Sequence, residues 1–301
     1  MRAVTDFADY ELLDASAGER LERWGNIILI RPDPQIIWDT PKQNPLWKKA
    51  HARYHRSSSG GGHWEAYRKV PDVWQIGYKD LRFNLKPMGF KHTGLFPEQA
   101  VNWALMDRIL RGLGTPSDPF RVLNLFAYTG GATLACLAAG AHVTHVDASK
   151  GMVAWGKENA RISGLADRPM RWLVDDCMKF VERELRRGHT YDAIIMDPPS
   201  YGRGPGGEVW KLEEQLGRLL ERTAKLLSDR AVFFLVNSYT GGLSPTIVRY
   251  MVELEVRKGR KGAVLADEIG LPVTDRGMVL PCGNTTLWLS DKALPFMDKP
   301  F

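Results

Sequence analysis

The chain has 301 residues, is 44% hydrophobic, carries a formal net charge of +6 and contains three cysteines. The cysteines have no paired spacing, which argues against a disulfide framework and a structural zinc site, and we expect no metal. No apolar run follows the start and no stretch is long enough to span a membrane, so we expect a cytoplasmic protein without a membrane partner. The length is that of about two domains, and the positive charge favours a polyanionic partner.

Residues 1–90 are predicted to form a small β-rich accessory domain. Residues 25–30 and 35–38 have the composition of short strands, with prolines between them, and residues 74–85 have the composition of a hairpin. This domain either packs against the rest of the chain or helps to bind the polyanion.

Basic residues are concentrated in two segments. The first interleaves them with Trp47 and Tyr54, and its basic members are Lys48, Lys49, His51, Arg53, His55 and Arg56. The second, at residues 257–261, has the sequence R-K-G-R-K. Basic groups beside aromatic rings can bind a nucleic-acid backbone and stack bases. A charge run is also an ordinary solvated face, so both interpretations stay open for each segment.

Residues 91–301 are predicted to form the second domain. After an amphipathic helix that begins near Pro97, residues 122–126 are an apolar run that suits a parallel strand covered by helices on both sides. A Y-T-G-G turn ends this strand, and its adjacent glycines, Gly130 and Gly131, let the main chain pass close to a ligand without a Cβ in the way.

A helix of small residues follows the glycines, and residues 142–146 then form a second strand. Asp147 stands at the carboxyl end of that strand, where its carboxylate can accept both hydroxyls of a ribose, and Ser149 can cap the next helix. A dinucleotide-binding Rossmann unit has the same plan, but its G-x-G-x-x-G spacing is absent from Y-T-G-G-A-T. An adenosyl cofactor without a phosphate group fits this turn better.

Two further strands also end in polar residues. Residues 171–174 precede Asp175, Asp176 and Cys177, and Asp176 can accept from an adenine amino group. Residues 191–196 precede the D-P-P-S-Y motif, whose members are Asp197, Pro198, Pro199, Ser200 and Tyr201. The two prolines fix φ and withhold N–H donors, so the motif offers a rigid edge of carbonyls and an aromatic ring for stacking. A plain strand-ending turn is the alternative.

The rest of the chain completes an α/β fold. Residues 212–227 have the pattern of an amphipathic helix, and residues 231–236 that of a fifth buried strand. Residues 263–269 and 285–289 are β-rich with no clear helix between them, which indicates an antiparallel hairpin at the sheet edge.

Five motifs together resemble the class I S-adenosylmethionine-dependent methyltransferases, specifically the bacterial family that modifies cytosine or guanine of the large-subunit ribosomal RNA. They are K-H-T-G-L-F-P-E-Q at 91–99, N-L-F-A-Y-T-G-G at 124–131, V-D-A-S at 146–149, D-D at 175–176 and M-D-P-P-S-Y at 196–201. The resemblance implies a Rossmann-like seven-stranded methyltransferase sheet with a small N-terminal β-rich domain, S-adenosylmethionine as cofactor, and a ribosomal RNA base as substrate.

The resemblance also implies roles for individual residues. Four of them would surround the methionine part of the cofactor: Phe126, Tyr128, Thr129 and Gly130. Asp147 would hold the ribose, Asp176 the adenine, and residues 197–201 would face the acceptor. The predicted cofactor site further includes Gly131, Ser149, Cys177 and Asp197.

The predicted acceptor site lacks an expected nucleophile. Methylation at cytosine C5 usually needs a cysteine thiolate that adds to the ring first, and that cysteine often lies in the Asp-Pro motif or just after the fifth strand. Those places hold Ser200 and the segment 237–239, N-S-Y. Cys282 is the remaining candidate, followed by Cys177 and Cys136, although a free cysteine is more often a small buried hydrophobe. Methylation of a nitrogen needs positioning and a proton acceptor, for which Asp197 is available, and is slightly favoured.

Two other functions are compatible with these patterns. A methyltransferase acting on a small molecule or a protein would keep the cofactor residues without salt-sensitive binding to RNA. An RNA-binding module with a degenerate pocket would keep the charge without binding S-adenosylmethionine, and the intact turn and D-P-P-S-Y motif argue against it.

Overall fold

The computed structural model describes residues 1–57, 61–114, 118–203 and 209–297. Contacts divide the chain into two compact units. The α/β unit comprises residues 1–2, 101–269 and 282 onward, and the β unit comprises residues 3–100 and 270–281. The contacts therefore place residues 91–100 in the β unit, and the boundary after residue 90 stays a prediction.

The N-terminal hundred residues are rich in strands. These are β1 (Arg2–Ala3), β2 (Tyr10–Ser16), β3 (Glu19–Trp24), β4 (Ile27–Pro32), β5 (Ala52–Arg56), β6 (Gly62–Ala66), β7 (Trp74–Tyr78) and β8 (Leu81–Leu85), with 3-10 turns at Pro45–Lys48 and Pro97–Gln99. Strands β2 to β6 are hydrogen-bonded neighbours in sequence order, and β7 and β8 form a separate hairpin. The hairpin predicted over residues 74–85 is confirmed.

The strand predicted over residues 35–38 is wrong, because this segment has no strand pairing. Pro32 and Pro34 precede it, and the N–H of Ile36 closes a turn by donating to the Asp33 carbonyl at 3.2 Å. A proline has no N–H to give to a ladder, so the apolar composition alone does not produce a strand here.

The remaining elements alternate between helix and strand. They are α1 (Ala100–Gly112), β9 (Arg121–Leu125), α2 (Gly131–Ala138), β10 (His142–Asp147), α3 (Lys150–Ile162), β11 (Met170–Val174), α4 (Cys177–Arg187), β12 (Ala193–Met196), β13 (Tyr201–Arg203), β14 (Val209–Lys211), α5 (Leu212–Ala224), β15 (Phe233–Ser238), α6 (Pro245–Val252), β16 (Ala263–Val273) and β17 (Met278–Leu289). A single π turn at Glu253–Arg257 follows α6, and a 3-10 turn lies at Leu294–Phe296.

The α/β unit is built on seven strands in the order β11-β10-β9-β12-β15-β17-β16. The first five are parallel, and β17 runs antiparallel to β15. This confirms the predicted seven-stranded Rossmann-like fold and the antiparallel hairpin beside the fifth parallel strand. The hairpin was also expected to form the sheet edge, and this is wrong, because β16 pairs with β2 at Val273 and Leu12. The chain proceeds outward from β9 in one direction and then returns to β12 on its other side. Ligands of such sheets bind beyond the carboxyl ends of the strands at this switch point.

The core of the α/β unit follows the predicted apolar pattern. Strands β9, β12 and β15 are almost wholly buried, as expected for parallel strands with helices on both faces. Helix α5 buries Leu212, Leu216, Leu219 and Leu220 along one face. Within the described parts of the chain, no helix is both long and apolar enough to cross a membrane.

Candidate active site

The glycine turn after β9 has an unusual backbone. Phe126, Tyr128 and Gly130 all lie in the left-handed region, with φ of 54°, 51° and 89°. A left-handed conformation costs a non-glycine residue roughly 1–2 kcal/mol, and such strain is concentrated at functional sites. The turn therefore depends on the structure around it to keep this shape.

The two glycines serve different purposes. Gly130 occupies the left-handed position at the start of α2, which a glycine adopts without the steric cost of a Cβ. The sequence predicts this glycine only as one that lets the main chain pass close to a ligand. Gly131 is needed for packing, because an added Cβ would lie 2.5 Å from Cζ2 of Trp103. Sequence reasoning missed Trp103, which lies in α1 and reaches the turn only through the fold.

Asp147 lies at the carboxyl end of β10, beside the turn. One carboxylate oxygen accepts from the N–H of Tyr128 at 2.9 Å, and the other accepts from the N–H of Ser149 at 2.8 Å. Burial raises the pKa of Asp147 above its usual value, and the two N–H bonds offset this only in part. Each oxygen has a second lone pair, so the carboxylate can still accept the two hydroxyls of a ribose.

Two further predicted residues cap helices. The hydroxyl of Ser149 caps α3 by accepting from the N–H of Met152 at 3.3 Å, as predicted. Asp176 is exposed and caps α4 by accepting from the N–H of Lys179 at 2.8 Å. A carboxylate has more acceptor sites than one cap uses, so Asp176 can also accept from an adenine amino group.

Cys177 follows Asp176 and is buried. Its sulfur accepts from the N–H of Phe126 at 3.3 Å, and burial raises the pKa of the thiol above its usual value. Cys136 is also buried, with a raised thiol pKa and with its sulfur 4.0 Å from Sδ of Met106. Because the thiolate is the nucleophilic form, neither cysteine has the environment of a reactive thiol.

The Asp-Pro-Pro motif follows β12 and lies beside the glycine turn. The N–H of Asp197 donates to the carbonyl of Leu125, the last residue of β9, at 3.4 Å. Pro198 is buried and Pro199 is exposed. The Pro199 carbonyl already accepts from the indole N–H of Trp210 at 2.6 Å. This carbonyl is therefore less available to an amino group of the methylated substrate than the sequence suggested.

Trp210 completes an aromatic wall at this edge. It lies in β14, which pairs with β13 and so follows the motif in space as well as in sequence. Its ring centroid is 5.6 Å from that of Phe126, and Tyr201 at the start of β13 is 53% exposed. Sequence reasoning missed Trp210; the only signal was a tryptophan nine residues after Tyr201.

Ser200 is hydrogen-bonded to a residue that the sequence analysis did not select. The hydroxyl of Thr240, two residues after β15, donates to the Ser200 hydroxyl at 2.6 Å. The motif position where a cysteine nucleophile was sought therefore meets the residue that follows the second sought segment, 237–239, and both residues of this contact are hydroxyl-bearing.

Cys282 lies in β17 and is 3% exposed. It precedes Asn284, which pairs with Ser238 at the carboxyl end of β15, so Cys282 lies beyond that strand end. Its role as a nucleophile stays a prediction, and its burial does not favour one. Among the described residues, no group of three or more histidine, cysteine and acidic side chains could hold a metal ion.

The profile of the S-adenosylmethionine-dependent methyltransferase family matches residues 44–248, more than half of the chain. The chain belongs to this family. A crystal structure of such a methyltransferase from Agrobacterium tumefaciens is 35% identical, with a TM-score of 0.89 over 96% of this chain and 92% of the other. One from Streptococcus mutans, at 17% identity, shares the fold with a TM-score of 0.73 over 95% of this chain and 76% of the other.

Curated relatives match a shorter region of this methyltransferase. Proteins named ribosomal RNA large subunit methyltransferase K/L are 34% identical over 159 residues in Shewanella baltica and 31% identical over 160 residues in Shewanella sp. strain MR-4. Each match covers 52% of this chain but only 21% or 22% of the relative. The chain thus spans about a fifth of the length of these relatives.

The residues at the switch point fit the cofactor of the family. Asp147 and Asp176 supply acceptors for hydroxyls and for an amino group, and Phe126 supplies an apolar contact. The glycine turn and the Asp-Pro-Pro motif bring backbone close to the space between β9 and β12. The K-H-T-G-L-F-P-E-Q motif, in contrast, lies in the β unit. The assignment of single residues to parts of the cofactor stays a prediction.

Proposed function

We propose that this methyltransferase transfers a methyl group to a nitrogen of a ribosomal RNA base. The observation that carries the choice of atom is that neither expected nucleophile position holds a cysteine. Ser200 occupies the position in the motif, and its hydroxyl is hydrogen-bonded to that of Thr240, the residue after the segment 237–239. When bound, the cofactor supplies an electrophilic methyl group on a sulfonium sulfur. A nitrogen lone pair can attack this group directly, without a covalent enzyme adduct.

The residues of the acceptor edge have separable tasks in this proposal. Tyr201 and Trp210 offer rings on which a flipped base stacks. The Pro198 carbonyl accepts from the exocyclic amine and orients it. Asp197 accepts the proton that the nitrogen loses as the new N–C bond forms. Ser200 and Thr240 hold the far side of the base by hydrogen bonds.

RNA as the substrate is supported by charge in the β unit and by the names of the curated relatives. The hairpin β5–β6 carries exposed basic residues at and beside its ends, and His55 and His63 stack across its strands with centroids 5.3 Å apart. Some of this charge is internally paired, since Arg53 binds Glu19 at 2.7 Å. The exposed members Lys48, Lys49, Arg56, Arg68 and Lys69 are the candidates for phosphate contacts.

Two aromatic or basic residues of the predicted RNA-binding segments have structural roles instead. Tyr54 is 3% exposed because strand alternation places it opposite Trp64 on the buried face. Arg260 donates to the Ala224 carbonyl at 3.2 Å, at the end of α5. Neither side chain is offered to RNA.

The test is a comparison of ribosomal RNA from cells with and without the gene, by mass spectrometry of nuclease fragments. The proposal predicts the loss of one N-methylated nucleotide from the large-subunit RNA, and its return when purified protein and S-adenosylmethionine are added. An unchanged set of methylated nucleotides would exclude ribosomal RNA as the substrate. Loss of a C5-methylated cytosine would refute nitrogen as the target.

A further inference from the structure

The strained turn over residues 126–130 is held by side chains from three other elements. From β10, Asp147 accepts from the Tyr128 N–H at 2.9 Å. From α4, the Cys177 sulfur accepts from the Phe126 N–H at 3.3 Å. From α3, the Asn159 side-chain amide donates to the Thr129 carbonyl at 3.0 Å. Three of the five residues of the turn are thus each held by a different side chain.

Asn159 is fully buried, and so is Thr129, whose carbonyl accepts the hydrogen bond from the Asn159 side chain. The other buried residues of α3 are Val153, Trp155, Gly156 and Ala160, none of which has a charged side chain. A buried amide is costly unless it is hydrogen-bonded, and an apolar residue would satisfy packing alone. The amide therefore has a specific effect on the Thr129 carbonyl, which it keeps oriented toward α3.

Cys177, at the start of α4, holds the first residue of the turn by a hydrogen bond to its backbone. Its thiol is buried and its hydrogen-bond partner is a backbone N–H at a left-handed residue. A neutral sulfur can accept this bond without being deprotonated, which agrees with a site that raises the thiol pKa.

We propose that Asn159 and Cys177 are positioning residues of the cofactor pocket, which set its affinity by holding the turn in its strained shape. The inference rests on the proposed location of that pocket beside Asp147. Neither residue needs to touch the cofactor. Loss of either bond lets the turn relax, and the N–H and carbonyl groups that it presents at the switch point then move.

The test measures binding of S-adenosylhomocysteine by calorimetry, together with the melting temperature. Asn159→Leu and Asn159→Asp both remove the donor, and we expect the dissociation constant to rise about tenfold or more. The matched control is Tyr191→Phe, which removes a buried 2.6 Å hydrogen bond to Glu184 before the amino end of β12. This control should lower the melting temperature by a similar amount while leaving binding within about twofold.

Cys177→Ser and Cys177→Ala test the hydrogen bond that the sulfur accepts. Serine keeps an acceptor for the Phe126 N–H, so Cys177→Ser should bind S-adenosylhomocysteine more tightly than Cys177→Ala, which we expect to bind about fivefold more weakly than the wild type. Asn159 variants that bind like wild type, or a Tyr191→Phe variant that loses as much affinity as they do, would overturn the inference. Wild-type protein that binds no S-adenosylhomocysteine would instead refute the proposed pocket.

Discussion

The hydroxyl of Thr240 lies 2.6 Å from that of Ser200, and the bond joins the segment after β15 to the Asp-Pro-Pro motif after β12. Two positions that are 40 residues apart in sequence thus lie side by side at the proposed acceptor site. Because both are hydroxyls with a mutual hydrogen bond, this edge is suited to binding a base rather than to attacking it.

Cys282 is the remaining thiol whose removal tests that conclusion. We expect Cys282→Ala to transfer methyl groups to RNA within about threefold of the wild-type rate, since the loss of one buried sulfur affects packing more than chemistry. The measurement is incorporation of a tritiated methyl group from S-adenosylmethionine. A variant that stays folded and binds cofactor but loses about a thousandfold in rate would identify Cys282 as the nucleophile.

Gly131 and Gly151 form a matched pair for the packing of the turn. An alanine at 131 would place its Cβ 2.5 Å from the Trp103 ring, so α2 must shift, and we expect a loss of about 1–3 kcal/mol in the free energy of unfolding with weaker cofactor binding. At 151, in the first turn of α3, the nearest heavy atom is 3.8 Å away. Gly151→Ala should stabilise the protein by about 0.5–1 kcal/mol. Urea denaturation checks both, and equal effects would contradict the steric account.

Binding of the cofactor should depend on the protonation of Asp147. Burial raises the pKa of this carboxyl above 3.8, and only the ionised form accepts at both oxygens. Calorimetry should therefore show affinity for S-adenosylhomocysteine falling as the pH drops through a midpoint above 3.8. Asp147→Asn should bind weakly and lack that pH dependence.

The raised pKa of Asp147 also affects the free energy of unfolding, and this effect depends on pH in the opposite direction to cofactor binding. A raised pKa means that the native state holds the proton more tightly than the unfolded chain, so the free energy of unfolding falls as the pH rises through that window. At pH 7, Asp147→Asn should thus stabilise the protein or leave it unchanged, while weakening binding. A marked loss of stability in this variant would show that the carboxylate is held more favourably than its burial implies.

The sequence predicts those parts of the site that depend on local chemistry. The glycine turn after β9, the Ser149 cap and the acid at the end of β10 all follow from residues close together in the sequence. Their meeting at one edge follows from the rule that parallel strands end on the same side of the sheet.

The parts that the sequence does not predict depend on contacts between distant segments. Three residues come to the turn or the motif from other elements of the fold: Trp103, Trp210 and Thr240. No local sequence pattern predicts such contacts. Tyr54 was one of two aromatic candidates for stacking on bases, yet the register of β5 against β6 places it on the buried face. A shift of one residue in register would have reversed that outcome.

The β unit contains a buried ion pair between Arg31 and Glu22. Two guanidinium nitrogens donate to the carboxylate at 2.5 and 2.7 Å, and the Tyr10 hydroxyl donates at 2.8 Å. Burial acts to raise the pKa of Glu22, but the charge and hydrogen bonds of Arg31 outweigh it, and the pKa is lowered. The native state therefore binds this proton less readily than the unfolded chain, and the resulting stability is lost as the pH falls below 4.5.

Arg31→Met leaves the Glu22 carboxylate buried without its partner. We expect a loss of about 3–5 kcal/mol in the free energy of unfolding at pH 7, and a smaller loss at pH 4, where the unpaired acid can take up a proton. Arg23→Met breaks a more exposed pair with Glu11 and should cost at most about 1 kcal/mol. Urea denaturation of both variants at pH 7 and pH 4 measures these losses. Equal losses of unfolding free energy in the two variants would contradict a special role for the buried pair.

We propose that the glycine turn and Asp147 form the cofactor pocket at the switch point between β9 and β12. The decisive experiment is calorimetric titration of S-adenosylhomocysteine into the wild-type protein, into Asp147→Ala and into Asp167→Ala, an exposed control. We predict one site per chain in the wild type and the control, and an affinity about a hundredfold lower in Asp147→Ala, which loses charge-assisted acceptors. Unchanged binding in a folded Asp147→Ala protein would contradict the account.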